Sequence, residues 1–165
     1  MSRYRAPQPP ASPYITASGY ERLEQELKAI WQRRAGVTRA LSEAAAEGDR
    51  SENAEYIYRK KELREIDRRI RYLQKRMPTL KVVEQAPGDP ERIFFNASVE
   101  LEDESGKVVR YRIVGADEFD PQQGHISIDA PLARALLKHR VGDEIRLQTP
   151  HGVSIYEVLK ISYPE

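Results

Sequence analysis

The 165-residue chain contains no cysteine, one tryptophan and only three histidines. The lack of cysteine excludes disulfides and thiolate metal sites, and His125, His139 and His151 do not have the spacing of a metal site. No apolar run approaches the roughly 20 residues that span a bilayer. The N-terminus also lacks the apolar core of a signal peptide. These absences predict a cytoplasmic protein without a membrane partner.

The chain is poor in apolar residues, and its charge is unevenly distributed. Hydrophobic residues make up 39%, which is low for a single compact core, and the formal net charge is +1. Residues 43–55 hold five acids and one base, a net charge of −4, whereas residues 57–76 hold nine bases and three acids, a net charge of +6. Adjacent blocks of opposite sign indicate a surface for a charged partner.

A Pro-rich leader precedes the first predicted helix. Residues 1–13 contain four prolines without apolar periodicity, which predicts a disordered leader. Ser18 and Glu21 have the spacing of a capping box, and Thr16 is an alternative N-cap. Apolar residues then recur mostly at steps of three and four, which is typical of a helix with a heptad seam: Tyr20, Leu23, Leu27, Ile30, Val37, Leu41 and Ala44.

A second helix follows with the same periodicity and ends at Pro78. Gly48 stands where a helix C-cap is expected, and Ser51 or Asn53 suits the N-cap of the second helix. Two such helices joined by a few residues predict an antiparallel coiled-coil hairpin over residues 14–82, with the acidic turn at its tip. A fold at positions 49 to 50 pairs the apolar residues of the two series: Leu23 with Met77, Leu27 with Leu73, Ile30 with Ile70, and Val37 with Leu63.

The sequence changes character after residue 82. Residues 83–92 have the composition of a linker, and residues 93–165 predict a small α+β domain. The segment "DESGK" at 103–107 is typical of a hairpin turn. The predicted elements are strands at 94–102, 107–115, 125–129, 143–149 and 152–163, and a short helix at 131–139 that begins with proline.

Two acids of the turn suit a metal ion. Asp49 and Glu52 are three residues apart, so their carboxylates converge if the turn is helical. Mg²⁺ is commonly held by one or two protein carboxylates together with waters and phosphate oxygens. Two acids on an exposed turn are therefore half a site, which another molecule has to complete. The alternative is that both acids only cap helix ends.

The basic second helix also has two interpretations. A charged helix is usually a solvated face with occasional ion pairs between acidic and basic side chains. Tyr56, Tyr58 and Tyr72 alternate with the bases, however, and such a mixture also suits a contact surface for RNA or for an acidic protein.

Three separated motifs resemble one known family. They are "GDRSENAEY" at 48–56, which continues as "YRKKELREIDRRIRYLQKR" at 58–76, "TASGYERLEQELKAIW" at 16–31, and "ISIDAPLARALLKHRVGDEI" at 126–145. Together they resemble the Gre-type transcript cleavage factors of bacteria, and within that family the GreB branch. The resemblance covers residues 14–163.

The resemblance implies a two-domain elongation factor that binds bacterial RNA polymerase as a monomer and reaches the nucleoid through it. An FKBP-like C-terminal domain over residues 93–165 would dock at the secondary channel, and the coiled coil would insert its tip toward the active centre. There the factor would stimulate the polymerase to cleave the 3′ end of backtracked RNA. It would bind no cofactor alone and would share a catalytic Mg²⁺ with the polymerase, so it is expected to be an accessory factor and not an enzyme.

The resemblance also assigns residues. Asp49 matches the principal metal-contacting acid and Glu52 the second acid. Tip support falls to Arg50, Ser51, Asn53 and Tyr56. The larger basic face that would hold the backtracked RNA comprises Arg59, Lys60, Lys61, Arg64, Arg68 and Arg71.

One position departs from the family pattern. The family usually has serine before the proline that starts the short C-terminal helix, and Ala130 stands there. The loss of an N-cap hydroxyl costs about 1 kcal/mol. The resemblance places the neighbourhood of the polymerase-docking region in this helix, so Ala130 bears on its local stability.

Two other functions fit parts of the sequence. One is an inhibitor that occupies the secondary channel, but a blocker has no need of both Asp49 and Glu52. The other is an FKBP-like prolyl isomerase or chaperone with a helical arm, but the short β-rich domain offers no obvious aromatic-lined proline pocket.

Overall fold

The computed structural model describes residues 10–48 and 53–164. In that part of the chain, no helix combines sufficient length with the apolar character needed to cross a membrane. The contacts divide the chain into two units. One is the segment Ser18–Leu80, and the other combines the residues up to Ala17 with those from Lys81 onward.

The first unit contains two helices, as the periodicity predicts. Helix α1 spans Ala17–Ala46, helix α2 spans Ala54–Arg76, and a 3₁₀ helix with Pro78 at its second position covers Met77–Thr79. Because α1 begins at Ala17, Thr16 and not Ser18 occupies the N-cap position.

The apolar seam residues of the two helices pack together. Val37, Ile66 and Ile70 form a buried cluster, against which Leu27, Ile30 and Leu63 pack. Both members of two predicted pairs, Ile30 with Ile70 and Val37 with Leu63, are therefore in one cluster. Further along the seam Leu23, Leu73 and Met77 are also buried.

The second unit is built on a five-stranded sheet, which confirms the predicted α+β class. The strands are β3 (Ser98–Asp103), β4 (Val108–Val114), β5 (His125–Ser127), β6 (Glu144–Thr149) and β7 (Gly152–Ser162), in the order β5-β4-β3-β7-β6. Within this sheet β4 and β5 pair in parallel, and the other described pairs are antiparallel. Helix α3 (Pro131–Leu136) contributes to a core of buried aliphatic side chains: Ile93, Ala97, Val99, Leu101, Ile113, Ala133, Leu136, Ile145 and Val158.

Strand β3 and helix α3 differ most from their predicted ranges. The segment from Phe94 to Ala97 forms a turn, with Asn96 at φ 71° and the Ala97 N–H bonded to the Phe94 carbonyl, so β3 starts only at Ser98. Helix α3 stops at Leu136, and Lys138 has φ 71°, outside the helical region. The N-cap Ala130 makes no side-chain hydrogen bond, as expected from the missing hydroxyl.

Two short strands join distant parts of the chain. Strand β1 (Tyr14–Thr16) pairs in parallel with β2 (Lys81–Val83). This pairing was not predicted. It groups both strands with the α+β unit, whereas residues 14–82 were predicted to form the hairpin domain. Of the predicted leader, residues 1–9 lie outside the described residues, and the Ser12 N–H donates to Asp129 at 2.9 Å.

A buried carboxylate secures β1. Glu118, 7% exposed, accepts hydrogen bonds from the Thr16 N–H at 3.1 Å, from the Thr16 hydroxyl and from the Gly115 N–H at 2.8 Å. A Cβ on Gly115 would lie 2.1 Å from the Tyr14 carbonyl oxygen, so the close approach of these backbones requires glycine.

Candidate functional site

The acidic turn lies between two well-defined helix ends. Helix α1 finishes at Ala46, and Gly48 follows with φ 133°, a value that favours glycine. Helix α2 begins at Ala54. The four predicted tip residues between these ends, Asp49, Arg50, Ser51 and Glu52, lie outside the described residues.

Asn53 joins the two helix ends. Its Oδ1 accepts from the Tyr56 N–H at 3.1 Å, which makes it the N-cap of α2, and its Nδ2 donates to the Ala44 carbonyl oxygen at 2.7 Å. The Ala44 carbonyl lies in the last turn of α1 and also accepts from the Glu47 N–H at 3.2 Å. The Asn53 amide therefore caps α2 and bonds the end of α1 directly, which fixes the distance between the two helix ends.

Aromatic side chains and cations alternate along the first turns of α2. Tyr56 is half-buried, and the Lys60 ammonium lies 5.7 Å from its ring centre. Tyr58 is 61% exposed, and the Arg59 guanidinium lies 5.5 Å from its ring. Ile57 between them is also exposed. This surface offers ring faces and positive charge together, a combination suited to nucleotide bases.

Four of the predicted RNA-binding cations form one stripe. Lys61, Arg64, Arg68 and Arg71 recur at steps of three and four residues, so they share one side of α2, and all four are exposed. The seam residues begin two positions later, at Leu63, which corresponds to about 200° around the helix. We call these four residues the basic stripe. Within the described residues none of them has an ion-pair partner, so no carboxylate balances the positive charge of the stripe.

Arg59 differs from the other candidates. It precedes Leu63 by four residues and so lies on the seam side of α2. Its guanidinium bonds Glu55 at 2.9 Å and Glu62 at 3.0 Å, and these two carboxylates raise its pKa. The charge of Arg59 is thus balanced within the hairpin, unlike that of the basic stripe.

Ion pairs hold the two helices in register. Arg33 bonds Glu62 at 3.0 Å, and Arg34 bonds Asp67 at 2.6 Å. Arg69 makes a bidentate pair with Glu26 at 2.7 and 2.9 Å. Glu62 is only 12% exposed, and its hydrogen bonds with Arg33 and then Arg59 lower its pKa below the ordinary value.

The carboxylates of the turn suit a magnesium ion that is shared with another molecule. Asp49 and Glu52 offer carboxylate oxygens, which hard divalent cations prefer. Elsewhere in the described ranges, 10–48 and 53–164, no three His, Asp or Glu side chains are placed to hold a metal ion. The two acids of the turn therefore suit one part of a coordination shell, with the remaining ligands supplied from outside this chain.

Two features of the site were missed from the sequence. Lys75 continues the basic stripe four residues after Arg71 and is exposed, so the same spacing that selected the others could have found it. The bond from Asn53 to Ala44 had no sequence signal, because it depends on how closely the two helix ends approach.

Fold and site together define a factor with a carboxylate-bearing turn at the end of a helical hairpin and a separate α+β unit. Residues 13–82 match the model of the N-terminal domain of transcription elongation factors, and residues 88–163 match the model of the GreA/GreB C-terminal domain. The chain belongs to the GreA/GreB family of transcription elongation factors.

Individual relatives agree over nearly the full length. The transcription elongation factor GreB of Pseudomonas aeruginosa is 55% identical over 165 residues, covering 99% of this chain and 98% of the relative. That of Xanthomonas axonopodis is 56% identical with the same coverage. Among solved structures, the GreA factor homologue Gfh1 of Thermus thermophilus is 31% identical over 90% of this chain and 97% of its own, with a TM-score of 0.42. The relatives place the chain in the GreB branch, as predicted.

Proposed function

We propose that this chain binds bacterial RNA polymerase and stimulates the polymerase to cleave the 3′ end of backtracked RNA, which returns arrested complexes to elongation. The observation that carries the proposal is the conjunction of GreB-type relatives over the whole chain with a two-carboxylate turn closed by Asn53. It acts as a cytoplasmic monomer that reaches the nucleoid through the polymerase.

The role of the turn follows from its chemistry. Asp49 and Glu52 contribute carboxylate oxygens to a site whose other ligands belong to the polymerase and its RNA. Magnesium bound there would supply a polarised water for attack on the phosphodiester. Asp49 would contact the metal, and Glu52 would contact the metal or orient its water. The chain is an accessory factor in this scheme, because the scissile bond lies in the active centre of the polymerase.

The basic stripe has a complementary role. Exposed cations on one side of α2 attract phosphates without regard to base sequence, and each contact contributes independently. Lys60, Lys61, Arg64, Arg68 and Arg71 would hold the extruded RNA segment, with Tyr56 and Tyr58 available for stacking. Arg50 and Ser51 complete the tip beside the two acids. Arg59 serves the hairpin more than the RNA, because Glu55 and Glu62 already bind it.

The test adds the purified protein to a stalled, backtracked polymerase complex with Mg²⁺ and follows the length of the RNA. Wild type is expected to shorten the RNA from its 3′ end. Asp49→Ala is expected to lose this cleavage while its binding to polymerase persists. Glu43→Ala, which removes an exposed carboxylate from α1, serves as the matched control and should remain active. Absence of cleavage with wild type, or full cleavage with Asp49→Ala, would overturn the mechanism.

The channel-occupying inhibitor makes the opposite prediction in the same assay. A blocker leaves the RNA uncut, and Asp49→Ala should inhibit as strongly as wild type because occupancy of the channel alone produces the inhibition. The two functions are therefore separated by one gel, on which wild type and Asp49→Ala are compared at equal occupancy of the polymerase.

A further inference from the structure

One face of the five-stranded sheet is not covered by the core. Val99, Leu101 and Val158 point into the core, so the residues that alternate with them lie on the opposite, outer face. Strand register arranges the outer face in rows. The first row is His125, Arg112, Ser98 and Ser162, the second is Arg110, Glu100 and Lys160, and the third is Val108, Glu102, Glu157 and Glu144.

The first two rows line a cleft of about 470 Å³. We name it the cationic cleft; its charged and imidazole side chains are Arg110, Arg112, Lys160, His125 and Glu100. The cleft therefore contains three cationic side chains and one carboxylate. A volume of this size is in the range that accommodates a small ligand or a few side chains of a partner.

Two of the three cations lack a counter-charge. Glu100 forms an ion pair with Arg110 at 2.8 Å, so it balances the charge of that arginine. The Arg112 guanidinium instead donates to the neutral amide oxygen of Asn96 at 2.9 Å, which orients it without neutralising it. Lys160 is exposed, and no carboxylate of the described residues lies within ion-pair distance of it. The cleft is thus an oriented, uncompensated positive site.

An orphan polar atom belongs to a residue that lines the same cleft. Nδ1 of His125 is the only buried side-chain nitrogen or oxygen among the described residues that has no hydrogen-bond partner. His125 is the direct parallel partner of Arg112 in the sheet, and both residues line the cleft. Because Nδ1 has almost no accessible surface, a ligand reaches it only if the imidazole ring turns toward the cleft. In the Nδ1–H tautomer a turned ring would donate to a carboxylate, which would relieve the cost of the missing hydrogen bond.

The third row restricts what the anion can be. Glu102 and Glu157 are direct cross-strand partners, and so are Glu157 and Glu144. These acids follow the second row at a distance of about 7 Å along the strands, which is within the Debye length of about 8 Å. Glu144 is paired with Arg146 at 3.5 Å, whereas Glu102 and Glu157 have no ion-pair partner among the described residues. A long polyanion that continues along the strands would meet these two acids, whereas a short acidic segment fits between the cations and ends before them.

From this charge pattern we propose that the cationic cleft binds a short acidic segment of a partner protein, and that the partner is the polymerase. The inference rests on the proposed function only in its choice of partner. Carboxylates of that segment would pair with Arg112 and Lys160 and accept from His125. Such contacts set orientation and association rate more than they set total affinity.

The experiment measures displacement of labelled wild-type protein from polymerase core by unlabelled variants, at low and at high ionic strength. Arg112→Glu combined with Lys160→Glu is expected to raise the concentration for half-displacement about tenfold at low ionic strength, with a smaller effect at high ionic strength. Lys81→Glu, an exposed residue of β2 outside the cleft, gives the same charge change as Lys160→Glu alone and should behave as wild type. Since Arg112 contacts Asn96, Lys160→Glu alone is measured too, and thermal unfolding verifies that each variant is folded.

The outcomes separate this inference from the proposed function. The inference is overturned if the displacement curves of the double variant superimpose on those of wild type. It is also overturned if the double variant weakens only the binding of a duplex DNA probe, because that result indicates nucleic acid in the cleft. If wild type binds polymerase in this assay but produces no RNA cleavage, the proposed function fails and the cleft is still judged by the displacement result. If wild type does not bind polymerase, both fail.

Discussion

The side chain of Asn53 donates a hydrogen bond of 2.7 Å to the carbonyl oxygen of Ala44 and so connects the first residues of α2 with the last turn of α1. Its Oδ1 simultaneously caps α2 through the Tyr56 N–H. Both bonds lie at the base of the turn that carries the two acids. The two helix ends that flank this turn are therefore joined by a residue that bears no charge.

Substitution of Asn53 separates its two bonds. Asn53→Ala removes both and is expected to lower the free energy of unfolding by about 1–2 kcal/mol. Asn53→Ser keeps an N-cap oxygen for the Tyr56 N–H and loses the amide donor to Ala44, so its loss should be smaller. Denaturant unfolding measures the first effect, and cleavage rate at saturating protein measures the effect on the turn. Equal stability of wild type and Asn53→Ala would show that the bridge contributes nothing.

Charge reversal in the basic stripe should act according to RNA length. Arg64→Glu with Arg68→Glu places two acids on the exposed side of α2, where long extruded RNA would lie, and each lost phosphate contact weakens binding. Release of long 3′ segments is expected to fall more than release of short ones. The assay compares complexes backtracked by different distances.

The control for the basic stripe is on the other helix. Arg22→Glu with Lys28→Glu gives the same change in net charge on exposed residues of α1. It should leave the ratio of long to short products unchanged. If both double variants reduce long and short products equally, the stripe has only a general effect on binding.

Glu62 predicts how the hairpin responds to acid. Arg33, and after it Arg59, lower the pKa of Glu62 below its ordinary value of 4.5 in the folded protein. A carboxyl with a lowered folded pKa contributes stability above its unfolded pKa, and this contribution is lost as the pH falls through the lower, folded value. Glu62→Gln should therefore lower the melting temperature at neutral pH, and the difference from wild type should shrink below about pH 4.5.

The matching control is Glu65→Gln on the same helix. Glu65 is exposed and has no ion-pair partner in the described part of the chain. Its substitution should change the melting temperature little at either pH. A pH-independent difference between Glu62→Gln and wild type would mean that packing of Glu62, and not its ionisation, stabilises the hairpin.

The elements defined by local pattern were predictable from the sequence. Heptad spacing yielded the hairpin and its seam, and alternation with turn residues located all five strands of the large sheet. The pairing of Tyr14–Thr16 with Lys81–Val83 was not predictable, because it joins three-residue segments that are far apart in the chain and have no periodicity of their own.

The identity of the candidate site residues was predictable from the sequence, but their ion-pair partners were not. The spacing of bases on α2 selected the stripe, yet only the structure separates Arg59, which is bound by Glu55 and Glu62, from Arg64 and Arg68. Side-chain ion pairs across a hairpin depend on rotamers and on interhelical distance, which the sequence alone does not specify. The roles of Asp49 and Glu52 stay predictions that the cleavage assay decides.

The acidic row on the outer face of the sheet predicts a stabilising substitution. Glu157 faces Glu102 on one side and Glu144 on the other, and within the ranges described only Glu144 has an ion-pair partner, Arg146 at 3.5 Å. Like charges directly opposite each other destabilise a sheet. Glu157→Lys converts both contacts to attraction, with an expected gain of about 1 kcal/mol in the free energy of unfolding. Chemical denaturation at low and high salt measures the gain, which should diminish as salt screens the pairs. A loss of stability at low salt would mean that the three carboxylates do not repel one another, and the negative boundary of the cationic cleft would then need a different explanation.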